Sequence, residues 1–588
     1  MHPRRRSTVL PVALVCVLVV AAATANAIQA GPTVVTAVGK AEPKVSKAKA
    51  FDVSLPLRDL AKGARTAKAP KAHPSARVDR NISIAAGATP QSLVAGGAVS
   101  SGAAATFAVG PTLANFEGLS NQDNFDVFGF RVNPPDPVGD VGPNHYVEMI
   151  NLVFGVYSKT GTKLLGPVDT GTLWAGFAID DCTDASGDPI VVYDQFADRW
   201  ILSQFTTRGL DDPTGQAPFY NCVAISQTPD PTGAYFRYAF TTGNFFPDYP
   251  KYGIWKDTYV ITTREFGPTV EYGIGVYAID RNKVIAGDPN AQVVSFFLDG
   301  NDPDILPLVG DGLLPADVDG NTKPKQDVPI PIVGTQDNDF TDYGATFDAL
   351  NIWELDVHWN ANASPDATLE LATQLATAPF DSVYPCNGVP GIARDCLPQP
   401  GITNTAQFLD ILSYRQRPTW RLAWRGFKDF DSMVTAQSVE AAGTTAGMRW
   451  YEIRRSGNGT YTIHQQGTYA PGDGIHRWMG SIAQDKNRAM ALGYSVVNAT
   501  TVFPGIRYTG RVATDLLGTM PQGEGTVIAG TGVQTTVNSR WGDYTSMNVD
   551  PVDDCTFWYV NEYYTAAGQA SSPAGWQTRI ASFKLPGC

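Results

Sequence analysis

Residues 191–205 read VVYDQFADRWILSQF: an apolar run, an Asp at the reversal, then a strand in which aromatic and aliphatic residues alternate. A carboxylate at a chain reversal accepts hydrogen bonds from turn amides, and a period of two puts one set of side chains on a buried face, so the stretch predicts a β-hairpin. The plan returns in VGDVGPNHYVEMIN (138–151), YGIWKDTYVITTREF (252–266), SIAQDKNRAMALGYS (481–495) and SMNVDPVDDCTFWYVNE (546–562). Looser hairpins at 329–338 with 348–356, and at 448–467, extend the series to seven unequal modules. Helical periodicity is nearly absent, and Pro and Gly punctuate almost every interval.

From residue 105 to 588 the chain is too long for one compact core unless it is modular. Small antiparallel sheets repeated around an axis bury a large surface without long exposed edges. The expected fold is therefore all-β, a single β-propeller over 105–588, with seven blades and with six or eight also compatible with the spacing. The runner-up is a pair of β-sandwiches meeting near residue 400.

The N-terminus reads differently. Arg4, Arg5 and Arg6, an apolar run from Val9 to Ala23 and the small-residue pattern Ala25-Asn26-Ala27 predict a secretory signal over 1–27. Residues 28–104 are rich in Ala, Lys, Pro, Gly and Ser with a single aromatic before the domain, and read as a disordered spacer with at most a short ordered patch from Phe51 to Leu60. Residues 31–80 carry a net charge of +7, whereas 81–588 hold thirty Lys and Arg against fifty-three Asp and Glu. So acidic a domain repels nucleic acid, and no later stretch is apolar enough to span a membrane. A secreted protein, extracellular or periplasmic, is the expectation. Six cysteines remain once Cys16 leaves with the signal, and sequence proximity pairs Cys182 with Cys222, Cys386 with Cys396, and Cys555 with Cys588 as disulfides.

In a propeller, the loops entering the innermost strands converge on the axis, so functional groups are sought there. The entry strings are Asp136 and Asp140, Asp188, Asp248-Tyr249-Pro250-Lys251, Ser413-Tyr-Arg415-Gln-Arg417, His476-Arg477-Trp478 and Arg540-Trp541-Gly-Asp543-Tyr544. Acids, guanidinium forks and aromatic faces together suit a sugar or a carboxylated polymer. Substrate-binding candidates are Arg540, Trp541, Arg477, Trp478, Arg415, Arg417, Tyr249 and Lys251. A glycosidase would use two carboxyls among Asp543, Asp140 and Asp188, and a lyase would pair His476 or Tyr544 with an Arg. The competing reading makes the same residues ion pairs and turn caps between sheets.

Asp317, Asp319 and Asn321 resemble the start of a calcium loop, although Val328 stands where the twelfth-position Glu would be, and Asp180, Asp181 and Asp184 form a second acidic cluster. Calcium is the one cofactor considered. Serine-hydrolase, nucleotide, zincin and haem motifs are not found.

The strings GIHRWMG (474–480), RWGDY (540–544), DPVDDCTFWY (550–559), GDPIVVYD (187–194) and ADRW (197–200) resemble a group of bacterial secreted proteins with sialidase-like, BNR-type propeller domains. The resemblance covers about residues 125–588 and implies a propeller and export. The strict Ser-x-Asp-x-Gly-x-x-Trp box of sialidases is missing, and no Arg triad maps onto the chain. The leading expectation is a binding or surface-interaction module for an extracellular glycan or polymer, whose axial mouth should lack a close carboxylate pair. The alternative is a sialidase-like glycosidase or a polysaccharide lyase.

Overall fold

The computed structural model describes residues 41–63 and 109–588, apart from the internal stretches 213, 268–270, 326–327, 339–342, 361–362, 383–394, 412–415, 442–444 and 537–538. The expected signal at 1–27 and most of the expected spacer lie outside the described residues.

Val138–Val141, Ile190–Asp194 and Leu314–Val318 are buried at every position. Strands covered on both faces need nearly continuous apolar sequence, and each of these opens an antiparallel meander that grows less buried outward. Sheet A comprises Val138–Val141, His145–Ile150, Val153–Ser158 and Lys163–Asp169. Sheet B comprises Ile190–Asp194, Arg199–Phe205, Phe219–Ser226 and Tyr235–Gly243. Sheet C comprises Phe246–Ile254, Thr258–Phe266, Glu271–Asp280 and Gln292–Asp299. Sheet D comprises Leu314–Val318, Ile330–Gln336, Ala349–His358 and Asp366–Ala376. Sheet E comprises Thr419–Gly426, Phe430–Ala441, Thr445–Ser456 and Tyr461–Tyr469. Sheet F comprises His476–Gln484, Met490–Val497, Gly505–Arg511 and Glu524–Ile528. Sheet G comprises Ser546–Val549, Phe557–Tyr564 and Trp576–Phe583, and takes its outermost strand, Ala114–Ser120, from the other end of the chain.

The first strands of sheets A to G lie against one another in order, and that of G returns to that of A. Between D and E they hydrogen-bond in parallel, with Ala316 opposite Leu422 and Asp317 opposite Ala423. A closed ring of antiparallel sheets meeting through their inner strands is a β-propeller. The sandwich alternative fails, because consecutive sheets meet at these strands and not face to face. Closure is covalently remote: Phe116 sits opposite Ile580 and Glu117 opposite Arg579.

Asp residues cap the predicted hairpins. Asp194 accepts the amides of Phe196 and Ala197 at 3.0 and 3.1 Å, and Asp485 those of Asn487 and Ala489 at 2.8 and 2.9 Å. Asp140 differs, since it lies within the first strand of sheet A and the reversal follows at Gly142. Disulfides join Cys182 to Cys222 and Cys555 to Cys588, with Cα atoms 6.0 and 5.9 Å apart. Cys386 of the third expected pair, with Cys396, lies outside the described residues. Among the described residues no helix is long and apolar enough to cross a membrane.

The spacer reading needs correction at residues 41–63, where order extends beyond Phe51–Leu60. Lys44–Lys47 pairs with the outer strand of sheet C, Ala50–Val53 with that of sheet B, and the helix Leu57–Gly63 follows. Phe51 packs 4.8 Å from the Tyr238 ring, Asp52 bonds Arg237 at 2.6 Å, and Leu57 is fully buried. An edge strand borrows its core from the sheet it joins, so this strap needs little apolar sequence of its own. Leu57→Ala is expected to lower the unfolding free energy by about 2–5 kcal/mol in urea titrations. Val53→Ala, at an exposed position of the same strap, should change it by less than about 0.5 kcal/mol.

Candidate functional site

The chain enters the inner strands through left-handed residues: Asp136 (φ 49°), Asp188 (47°), Tyr249 (53°), Gly310 (49°), Gln416 (41°) and Met479 (49°). Such backbone is costly for anything but glycine and persists only where its surroundings hold it. A neighbouring sheet supplies the hold. The Asp188 amide donates to Asn151 Oδ1 at 2.9 Å, and the Tyr249 amide to Asp188 Oδ2 at 3.2 Å. The Gln416 amide donates to Ser382 Oγ at 3.2 Å, and the Met479 amide to Ser438 Oγ at 3.1 Å. Between G and A, Asp136 accepts the Asp543 amide at 2.7 Å while Glu562 accepts that of Gly542 at 2.5 Å.

These entries gather a buried polar cluster at one end of the axis. The Tyr544 hydroxyl lies 3.2 Å from Asp188 Oδ2 and 3.1 Å from the Pro250 carbonyl. Lys251 Nζ rests over the Tyr249 and Tyr544 rings, 2.9 and 3.8 Å from their centroids, and donates to the carbonyls of Tyr249 and Pro250 at 3.4 and 3.3 Å. The Arg417 guanidinium stacks on Tyr249 with Cζ 3.7 Å from the centroid. Arg540 Nη2 donates to Asp543 Oδ1 at 2.9 Å, and its Nε lies 3.5 Å from Asp410.

Burial dominates the electrostatics. It holds the Asp188 carboxyl well above its usual range, reinforced by Asp248, Asp136 and Asp543, and pushes Asp136 up to about 6 with help from Asp543. Glu562 is raised for the same reason, and burial followed by the Arg417 charge holds Lys251 well below an ordinary lysine. Burial thus favours the uncharged form of both the carboxyls and the amine in this cluster. Asp248, Asp136 and Asp543 all lie in the field of Asp188.

Asp188, Tyr249, Lys251, Arg417, Arg540, Asp543 and Tyr544 are brought to this end, while Arg415 lies outside the described residues. The other candidates have different surroundings, and their assigned roles need correction. Trp478 and Trp541 are fully buried with ring centroids 5.0 Å apart, so they pack the core and offer no sugar platform. Arg477 pairs with Asp473 and Glu524, both at 2.8 Å. His476 accepts the Ala446 amide on Nδ1 at 3.2 Å, and burial pushes it down to about 4, so it is a neutral structural ring and no acid. Asp140 accepts the Tyr193 amide of sheet B at 2.7 Å, a tie between sheets.

The calcium readings also give way. Asp317 and Asp319 meet Arg421 at 2.7 and 2.6 Å, placing a guanidinium where the cation would sit, and Asn321 lies on an exposed turn. Arg208 similarly bridges Asp180 and Asp184, at 2.5 and 2.6 Å. Sequence reasoning missed Asn151, Gln416 and Glu562 as contributors. The Asp-Pro and Tyr-Pro pairs before apolar strands at 136, 188 and 249 could have flagged the entries, whereas Glu562 sits inside an unremarkable strand.

No family model matches the chain, and no curated protein matches it. Solved structures similar to it include a Penicillium chrysogenum α-L-arabinanase complexed with arabinobiose, at 8% identity and TM-score 0.35, covering 81% of this chain and 99% of that one. The WD40 domain of SCAP from fission yeast aligns at 9% identity and TM-score 0.26, over 81% of this chain and 98% of that one. A GH93 α-L-arabinofuranosidase of Fusarium graminearum aligns at 8% identity and TM-score 0.23, over 66% and 89%. Likenesses at this level assign no role to any residue of this chain.

Arg421→Met leaves two buried carboxylates uncompensated and is expected to cost about 3–5 kcal/mol in denaturant titration. Adding Asp317→Asn and Asp319→Asn should restore part of that loss, and a calcium chelator should leave the wild-type Tm unchanged. Asp140 is raised from 3.8 to about 8, mainly by burial, so the folded protein keeps a proton that the unfolded chain releases. The stability it contributes is full below about pH 4 and lost as pH rises to about 8. Asp140→Asn, measured against wild type at a series of pH values, should therefore gain relative stability steadily across that window.

Proposed function

We propose that the chain is an exported propeller of seven four-stranded blades, sheets A to G, whose axial mouth binds an extracellular carbohydrate. Two disulfides support export, because such bonds persist in oxidising compartments. The convergence of Asp188, Lys251, Asp543 and the Tyr249 and Tyr544 rings carries the binding assignment. Sugar hydroxyls both donate and accept, so carboxyl, amine and phenol groups complement them.

A second reading, a carbohydrate-active enzyme at the same mouth, draws on one observation. Asp136, pushed up to about 6, lies in the field of Asp543, which Arg540 contacts. Glycoside cleavage needs two neighbouring carboxyls, one of them raised so that it can hold a proton.

The test incubates the mature protein with neutral and acidic extracellular polysaccharides, reading binding by calorimetry and turnover by new reducing ends or unsaturated products. Binding is expected, with Asp188→Asn and Asp543→Asn weakening it about tenfold or more. The Tm recorded beside each variant separates misfolding from lost recognition. Variants that bind like wild type would move the site away from the axis, and product formation would select the enzyme reading.

A further inference from the structure

Several buried arginines elsewhere in the protein meet carboxylates, and Arg449 and Arg511, without one, bond side-chain oxygens and backbone carbonyls. Arg281 pairs with Asp194 at 2.7 Å, Arg237 with Asp52 at 2.6 Å, Arg421 with Asp317 at 2.7 Å and Arg477 with Glu524 at 2.8 Å. Arg417 does not. Its side chain is only 1% exposed, and Nε, Nη1 and Nη2 all lack a hydrogen-bond partner among the described residues. A guanidinium stripped of water without a counter-ion is among the least favourable states a protein can hold.

Its neighbours share the deficit. Among the described residues, Gln416 is fully buried with both side-chain amide atoms unpartnered, and Asp248 Oδ2 also lacks a partner. Lys251, 1% exposed and in the field of Arg417, has only backbone carbonyls to bond. The Arg417 guanidinium, the adjacent Lys251 amine and an unfilled amide form an anion site that the described residues do not fill.

We infer that the ligand of the axial mouth carries a carboxylate, as a uronic acid residue does, seated against Arg417 with Lys251 and Gln416 beside it. The inference rests on the binding reading above. Stacking on Tyr249 occupies the guanidinium face and leaves its edge, where in-plane N–H groups match two coplanar carboxylate oxygens. The Asp543 and Asp248 charges lie in the field of Lys251 and oppose a second negative charge, which disfavours a phosphate ester. Sugar hydroxyls would then face the Asp188 and Tyr544 side of the cluster.

The experiment titrates the full mature chain with oligogalacturonate, alginate oligomers and hyaluronan oligomers, with carboxyl-reduced oligogalacturonate and a sulfated galactan as controls. At least one uronate should bind, and reduction of its carboxylates should weaken binding by about tenfold or more. Arg417→Gln should abolish that discrimination, whereas Arg417→Lys keeps part of it. Equal binding of parent and reduced polymer, or preference for the sulfated galactan, overturns the carboxylate while leaving a carbohydrate site at the axis. Binding of none overturns both readings. A measurement free of ligand guards against misfolding: Arg417→Met removes an uncompensated buried charge and should raise the Tm of the unliganded protein. A lowered Tm would show that the guanidinium is already paired, and would also overturn the inference.

Discussion

At each junction between sheets a backbone amide turns into a place water does not reach, and an acceptor from the adjoining sheet must meet it. Asn151 meets Asp188, Asp188 meets Tyr249, Ser382 meets Gln416 and Ser438 meets Met479. The left-handed backbone at these entries turns the chain sharply into the inner strand, and the cross-sheet hydrogen bond holds that turn. At two junctions the acceptor is a carboxyl, Asp188 and Asp136, so the device that joins the sheets also brings acids toward the axis. Stability and the buried acid cluster thus share one origin.

Two charged layers follow along the inner strands. In one, Arg421 lies between Asp317 and Asp319 at 2.7 and 2.6 Å, with Asp140 in its field. In the other, Lys251 and Arg417 stand over Tyr249 without acids bonded to them. The first is what a closed ring needs, a buried cation matched by its own chain. The second departs from that rule in the same fold, and a departure from local satisfaction is where binding groups are expected.

The hairpins were legible because strand alternation and turn acids are local properties, fixed within some fifteen residues. The entry strings around Asp188, Lys251, Asp543 and Tyr544 were legible, since each precedes an apolar strand, and these four side chains share one buried cluster. Their neighbours misled for a geometric reason: Trp541 and Trp478 stand next to mouth residues in the chain but point into the core. Asp317 and Asp319 looked like cation ligands because their partner, Arg421, lies about a hundred residues downstream and no spacing rule links them. The strap at 41–63 was legible only as the patch Phe51–Leu60, because the sheets it joins supply its apolar contacts while Val45 and Val53 remain exposed.

The outer strand of sheet G is made early and its three partners last, while the strap waits for strands some two hundred residues later. A chain that emerges N-terminus first can therefore build sheets A to F in order but cannot seal the ring until residue 583 has appeared. Contacts so distant in sequence fold slowly and leave partly assembled edges open in the meantime.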